Sequence, residues 1–133
     1  MATWSDVRDA ALALPEVAER PGQETLQWRV RDKGFVWERP LRKADLAALG
    51  DTAPDGPVLA AWVPDLGAKE ALLADDAGVY FTTPHFDGYP IVLVRLAEID
   101  AGELAELVTE AWLARAPKRL ARQYLDGPPD EVD

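Results

Sequence analysis

The chain has no cysteine. That excludes a disulfide framework, a thiolate nucleophile and a cysteine-ligated zinc site. It has one histidine, His85, so no His–His ligand spacing exists. Positive charge is scarce: 14 Lys+Arg face 24 Asp+Glu, for a net charge of −10. A domain that grips nucleic acid in the simplest way would be basic overall. No apolar run approaches a membrane span, and no charged-then-apolar leader opens the sequence. With these absences, the reducing cytoplasm is the expected compartment. The phosphate-cradling patterns G-x-x-x-x-G-K-S/T and G-x-G-x-x-G are missing.

Against these absences stand five Trp and a hydrophobic share of 48%, enough for a core in 133 residues. One domain over 1–125 is expected, followed by an acidic tail at 126–133 that frays. The chain is organised around Val79 to Leu96, VYFTTPHFDGYPIVLVRL. Residues 79–83 are β-formers, and 91–96 is a nearly unbroken apolar run of strand length. Pro84 and Pro90 bracket the connection and restrict its backbone. Asp87-Gly88 marks a turn within it, and Phe86 and Tyr89 are expected to pack the loop against the sheet.

The remaining elements follow from periodicity. Trp4, Val7, Ala11 and Leu14 share a helical face over 3–14, and Pro15 ends the run. Residues 16–22 form a polar connection. Leu26, Trp28 and Val30 alternate with Gln27, Arg29 and Arg31, as a strand over 25–31 requires. A turn at Asp32-Lys33-Gly34 leads to a return strand, 34–39. A short helix over 42–49, a strand over 58–63 and a helix from Ala68 to Ala74 precede the central stretch. In the helix at 100–116, Leu104, Leu107, Val108, Ala111 and Trp112 fall on one face, and Asp100 with Glu103 forms a capping-box-like pair. Pro117 breaks the chain before a short basic helix over 118–125.

Little of this carries chemistry. His85 and Asp87 lie two apart, as a carboxylate-oriented base would, but no Cys or Ser nucleophile stands with them. A structural role for His85, its ring held by Asp87 or nearby backbone, is favoured. Asp100, Glu103, Glu106 and Glu110 cluster on one helix side and read as a solvated face. Trp37 and Trp62, with His85, Asp87 and Tyr89, are candidates for lining a small-ligand pocket. The basic residues gather in two segments, 29–43 and 115–122, within an otherwise acidic chain.

Several of these stretches together carry a resemblance. They are Ala13-Leu14-Pro15 at the end of the first helix, a Trp-containing strand pair, and Leu72-Leu73-Ala74-Asp75. The run from Val79 to Pro90 follows, then Ala111-Trp112 and Ala116-Pro117-Lys118-Arg119-Leu120. The chain resembles the MmcQ/YjbR-like family over roughly Thr3 to Arg122. That resemblance implies an α+β fold of the double-wing, CyaY-like kind: a mostly antiparallel sheet with helices packed on one face. Members are commonly described as DNA-binding by analogy with a double-wing transcription-factor domain. Many carry a basic residue and a Trp in the loop that here reads Phe86-Asp87-Gly88-Tyr89-Pro90.

The function the resemblance implies is non-enzymatic DNA binding. The candidate contacts are the basic hairpin, Arg29, Arg31 and Lys33, with Arg39, Lys118 and Arg119, and the net charge of −10 makes the binding weak and salt-dependent. The alternative is a small-ligand or protein-interaction module on a concave surface near Trp37, Trp62 and His85. No catalytic residue, metal site, cofactor or membrane partner is expected.

Overall fold

Strict alternation makes the sheet. In Val58-Leu59-Ala60-Ala61-Trp62 and Ile91-Val92-Leu93-Val94-Arg95, odd and even positions go to opposite faces, and both sets are apolar apart from the terminal Arg95. A strand apolar on both sides is a central strand, and these two pair with each other through Leu59–Val94 and Ala61–Val92. The computed structural model describes residues 2–21 and 25–126. The acidic tail expected at 126–133 lies outside it, apart from Asp126, which ends a helix.

The elements are α1 (Trp4–Leu12), β1 (Val17–Pro21), β2 (Leu26–Val30), β3 (Lys33–Glu38), α2 (Lys43–Leu49), β4 (Val58–Trp62), α3 (Leu66–Asp75), β5 (Tyr80–Phe81), β6 (Ile91–Arg95), α4 (Ala101–Arg115) and α5 (Lys118–Asp126). The six strands form one sheet in the order β1-β2-β3-β4-β6-β5, every neighbouring pair antiparallel. The α+β class is as expected.

On one face, Trp28, Val30, Val36, Leu59, Ala61, Val92 and Val94 meet Val7 and Ala11 of α1 and Leu104, Leu107, Val108, Ala111 and Trp112 of α4 in a single core. Thr3 and Asp6 close a reciprocal capping box at the start of α1. The Asp100 carboxylate accepts from the backbone N–H groups of Gly102 and Glu103 at the start of α4. The Glu103 side chain does not return to that cap. It accepts the hydroxyl of Tyr80 instead.

The second face is not bare. Val58, Ala60, Phe81, Phe86, Ile91 and Leu93 form a smaller core there, with Leu41, Leu49, Trp37 and Trp62 packed against it. Helices on one face therefore describe only the larger layer, since the turn at Pro84–Phe86 and the region of α2 cover part of the other.

Two local expectations fail for identifiable reasons. Residues 17–21 are an edge strand rather than a connection, paired with β2 from Val17–Val30 to Pro21–Leu26. Glu19 broke the apolar alternation, but its carboxylate is satisfied from outside the strand. It accepts from the Trp28 indole at 3.0 Å and from Arg8 at 2.7 and 3.0 Å. The hairpin between β2 and β3 turns at Arg31-Asp32, not at Asp32–Gly34. Both residues have positive φ, 48° and 69°, as a two-residue type I′ turn demands. Gly34 belongs to β3, where a bulge opposite Trp28 and Arg29 lets Phe35 and Val36 both enter the larger core.

Trp112 is fully buried, and its indole N–H donates to the Pro15 carbonyl at 3.1 Å. Trp112→Ala should destabilise the fold by about 3–5 kcal/mol, the cost of deleting a large core aromatic. Chemical denaturation checks this, and a midpoint equal to wild type would contradict the placement of α4.

Candidate functional site

Most of the arginines expected to face nucleic acid are used within the fold. Arg29 lies along the hairpin, its Nε donating to the Gln27 side chain at 2.8 Å and its Nη1 to the Asp32 carbonyl at 3.3 Å. Arg31, in the turn, makes a bidentate pair with Glu16 at 2.5 and 3.0 Å. That pair holds the Glu16 carboxyl below its usual range, chiefly through the hydrogen bond from Arg31. Arg39 is withdrawn from the surface altogether. It is buried, 3.1 Å from Asp45, with its guanidinium 5.3 Å from the centre of the Phe86 ring. A buried guanidinium paired this way cannot track phosphates. Lys33, Lys118 and Arg119 are exposed, and no acidic group lies within 4.0 Å of them among the described residues.

Arg115 belongs to the basic segment 115–122 but was not among the candidate contacts. Its Nε donates to the Gly34 carbonyl at 3.3 Å, and its guanidinium lies over the Trp62 ring at 4.1 Å. Burial lowers its pKa. The contact fastens the start of β3, with Lys33, beside the end of α4 from which Lys118 and Arg119 continue. The hairpin turn beside them also carries the exposed Asp32, 3.6 Å from Arg20, and the Glu16 paired with Arg31.

Of the pocket candidates, Trp37 and Trp62 pack on the second core together with Phe86, against which His85 stands. Trp62 is also roofed by Arg115. His85 is exposed and stands edge-on to Phe86, with ring centres 4.8 Å apart. Among the described residues no hydrogen bond joins the His85 ring to Asp87 or to nearby backbone, the two partners expected for it; its contact is the Phe86 ring. Phe86 is buried as expected, but Tyr89 is 55% exposed and does not pack the loop. Asp87 lines a cleft of about 280 Å³ with Leu66, Lys69, Glu70, Leu73 and Thr82.

Lys69 is what anchors this loop. It is 6% exposed, and its ammonium donates to the Phe86 carbonyl at 2.8 Å and the Tyr89 carbonyl at 2.9 Å. Burial lowers its pKa, and the Asp87 charge opposes that shift. The signal was present in the sequence: Lys69 sits three residues after Leu66 and four before Leu73, on their helical stripe. Gly88 completes the loop with φ 82°, a conformation L side chains avoid.

A separate groove of about 680 Å³ runs between α3 and α4. Val63, Ala68, Leu72 and Leu107 give it an apolar floor, and Asp75, Asp100, Glu103, Glu106 and Glu110 rim it. Tyr80, 2% exposed, donates its hydroxyl to Glu103 within it. Burial and the neighbouring carboxylates of Glu103, Asp75 and Asp76 raise the Tyr80 pKa, so its hydroxyl stays neutral. Among the described residues, no three His, Asp or Glu side chains are grouped to hold a metal ion. No helix among them is long and apolar enough to cross a membrane.

Comparison with known proteins gives a consistent picture. A family model described as YjbR matches residues 12–114. The chain is 54% identical over 128 residues to uncharacterized protein Rv2570 of Mycobacterium tuberculosis, covering 94% of this chain and 97% of the relative. The same figures hold for uncharacterized protein Mb2600 of Mycobacterium bovis. Protein DR2400 of Deinococcus radiodurans, described by its family-model domain DUF419, has the same fold. Its crystal structure superposes with a TM-score of 0.67 at 22% identity, covering 96% of this chain and 91% of that one.

The buried Arg39–Asp45 pair makes a testable demand. Burial alone would raise the Asp45 pKa. The Arg42 backbone N–H and the Arg39 guanidinium outweigh burial and hold it below the usual aspartate value of 3.8. The unfolded chain then takes up the proton first, so this stabilisation is present above pH 3.8 and is lost as pH falls toward the folded value. Asp45→Asn should cost about 3–5 kcal/mol at neutral pH, because it leaves a buried guanidinium unpaired. It should also flatten the loss of stability on acidification below about pH 4. Parallel acid-unfolding curves for wild type and variant would contradict the pair.

Proposed function

The chain belongs to the YjbR family, and from that premise we propose that it is a non-enzymatic DNA-binding protein whose contact surface is its basic end. One observation supports this reading: the hydrogen bond from Arg115 to the Gly34 carbonyl, which fastens the strand start next to Lys33 to the helix end that leads into Lys118 and Arg119. Those three side chains are exposed and free of internal ion pairs among the described residues. Long, mobile cations on one rigid end suit phosphate contact, which positions a protein on a duplex without reading its sequence. Arg31 and Arg39 drop out of the contact set, because Glu16 and Asp45 already hold them.

The non-enzymatic part of the reading rests on what surrounds His85. It faces solvent beside Phe86, without a carboxylate oriented toward it among the described residues. A general base needs a partner within hydrogen-bond reach and a nucleophile or water to act on.

Net charge of −10 sets the strength of binding. The acidic groups repel the duplex at long range, so affinity falls at or beyond the weak end of non-specific binding, around 10⁻⁴ M at physiological salt. Three neutralised phosphates at roughly −0.9 each give a log–log salt slope of about −3. Titration of labelled duplex at two salt concentrations should show that slope for wild type. Combined Lys33→Ala, Lys118→Ala and Arg119→Ala should abolish it, while Arg31→Ala leaves it in place. No binding at low salt, or an unchanged slope in the triple variant, would refute the proposal.

A further inference from the structure

We propose that the groove between α3 and α4 is a binding site for a small organic cation with an apolar body, an aryl-alkyl amine in its simplest form. The floor supplies the apolar half of the recognition. Val63, Ala68, Leu72 and Leu107 border a space of about 680 Å³, within the range of about 300–1,000 Å³ typical of small-ligand sites. Ala71 and Gly102 on the walls keep that space open.

The rim supplies the charge. Glu103, Glu106 and Glu110 lie three and four residues apart along α4, and Asp75 faces them from the end of α3. Asp100 is committed to capping α4 and Glu103 to the Tyr80 hydroxyl. Asp75, Glu106 and Glu110 have no basic side chain within 4.0 Å among the described residues. Like charges at this helical spacing are mutually unfavourable, and a cation seated between them and α3 relieves that repulsion.

Tyr80 lies in the groove with its hydroxyl donated to Glu103. Burial first, and the same rim carboxylates after it, raise its pKa. A bare metal ion is a poor fit, because the carboxylates are strung along the rim instead of converging on one point. An ammonium group at the rim with its apolar body on the floor satisfies both parts. This inference does not depend on DNA binding, since the groove and the basic end share none of the residues argued for either.

The test is titration of the ¹⁵N-labelled protein with 4-phenylbutylamine, alongside 4-phenylbutanol and calcium chloride. Saturable shifts confined to amides near Ala68, Ala71, Leu72, Gly102 and Glu106 are expected with the amine. The alcohol should bind about tenfold more weakly, for loss of the charge. Combined Glu106→Gln and Glu110→Gln, both on exposed positions, should weaken the amine about fivefold, as exposed ion pairs of modest strength require. Ala71→Trp, also at an exposed position, should fill the groove and abolish the shifts while the rest of the spectrum is unchanged. Three results would each overturn the proposal. These are no saturation by the amine, equal affinity for amine and alcohol, and calcium shifting the same amides at lower concentration than the amine.

Discussion

The packing of α4 across the sheet is the constraint on which the rest depends. A helix has one apolar stripe to bury, and here Leu104, Leu107, Val108, Ala111 and Trp112 are all buried against the sheet and α1. Once that stripe is committed, every other side of the helix points in a fixed direction. Glu103, Glu106 and Glu110 border the groove with α3, and Arg115 reaches over the ends of β3 and β4. Acids at the N-terminal end and a base in the last turn also match the helix dipole. The acidic groove and the basic end are thus two consequences of one packing arrangement.

Charge in this protein is partitioned between holding the fold and facing solvent. Arg39 with Asp45 and Lys69 with two loop carbonyls are buried, where removing a partner is costly although the intact pair adds little net stability. Arg8 with Glu19 and Arg31 with Glu16 close the edge of the sheet at the surface, where such pairs contribute less. The loop at 84–90 acts as a strut. Phe86 plugs the second core, Lys69 ties the loop's carbonyls to α3, and His85 and Tyr89 are left outward.

What could be read from the sequence was what obeys a short period. The alternation of Leu26, Trp28 and Val30, the apolar run at 91–96 and the stripe of α4 each identify an element and its buried face without reference to any other. Long-range satisfaction hid the rest. Glu19 looked wrong for a strand because its partners, Trp28 and Arg8, lie on other elements. Arg39 looked like a surface cation because Asp45 comes six residues later, across a helix start. The turn at Arg31-Asp32 carried no glycine to announce its positive φ values, and the glycine nearby, Gly34, serves a bulge. For the site, the basic clusters were visible as composition. Which of their members stay free was decided by Glu16, Asp45 and the Gly34 carbonyl.

On the proposed reading α4 separates charge, with a negative groove along its first half and a positive end where it meets the hairpin and α5. Solvent paramagnetic relaxation with matched cationic and anionic nitroxides measures this directly, without DNA or amine. The cationic probe should concentrate near the amides of Asp75, Gly102, Glu106 and Glu110. The anionic probe should concentrate near Lys33, Gly34, Lys118 and Arg119, despite the net charge of −10. Uniform exclusion of the anionic probe over the whole surface, or equal effects of both probes at the groove, would contradict it.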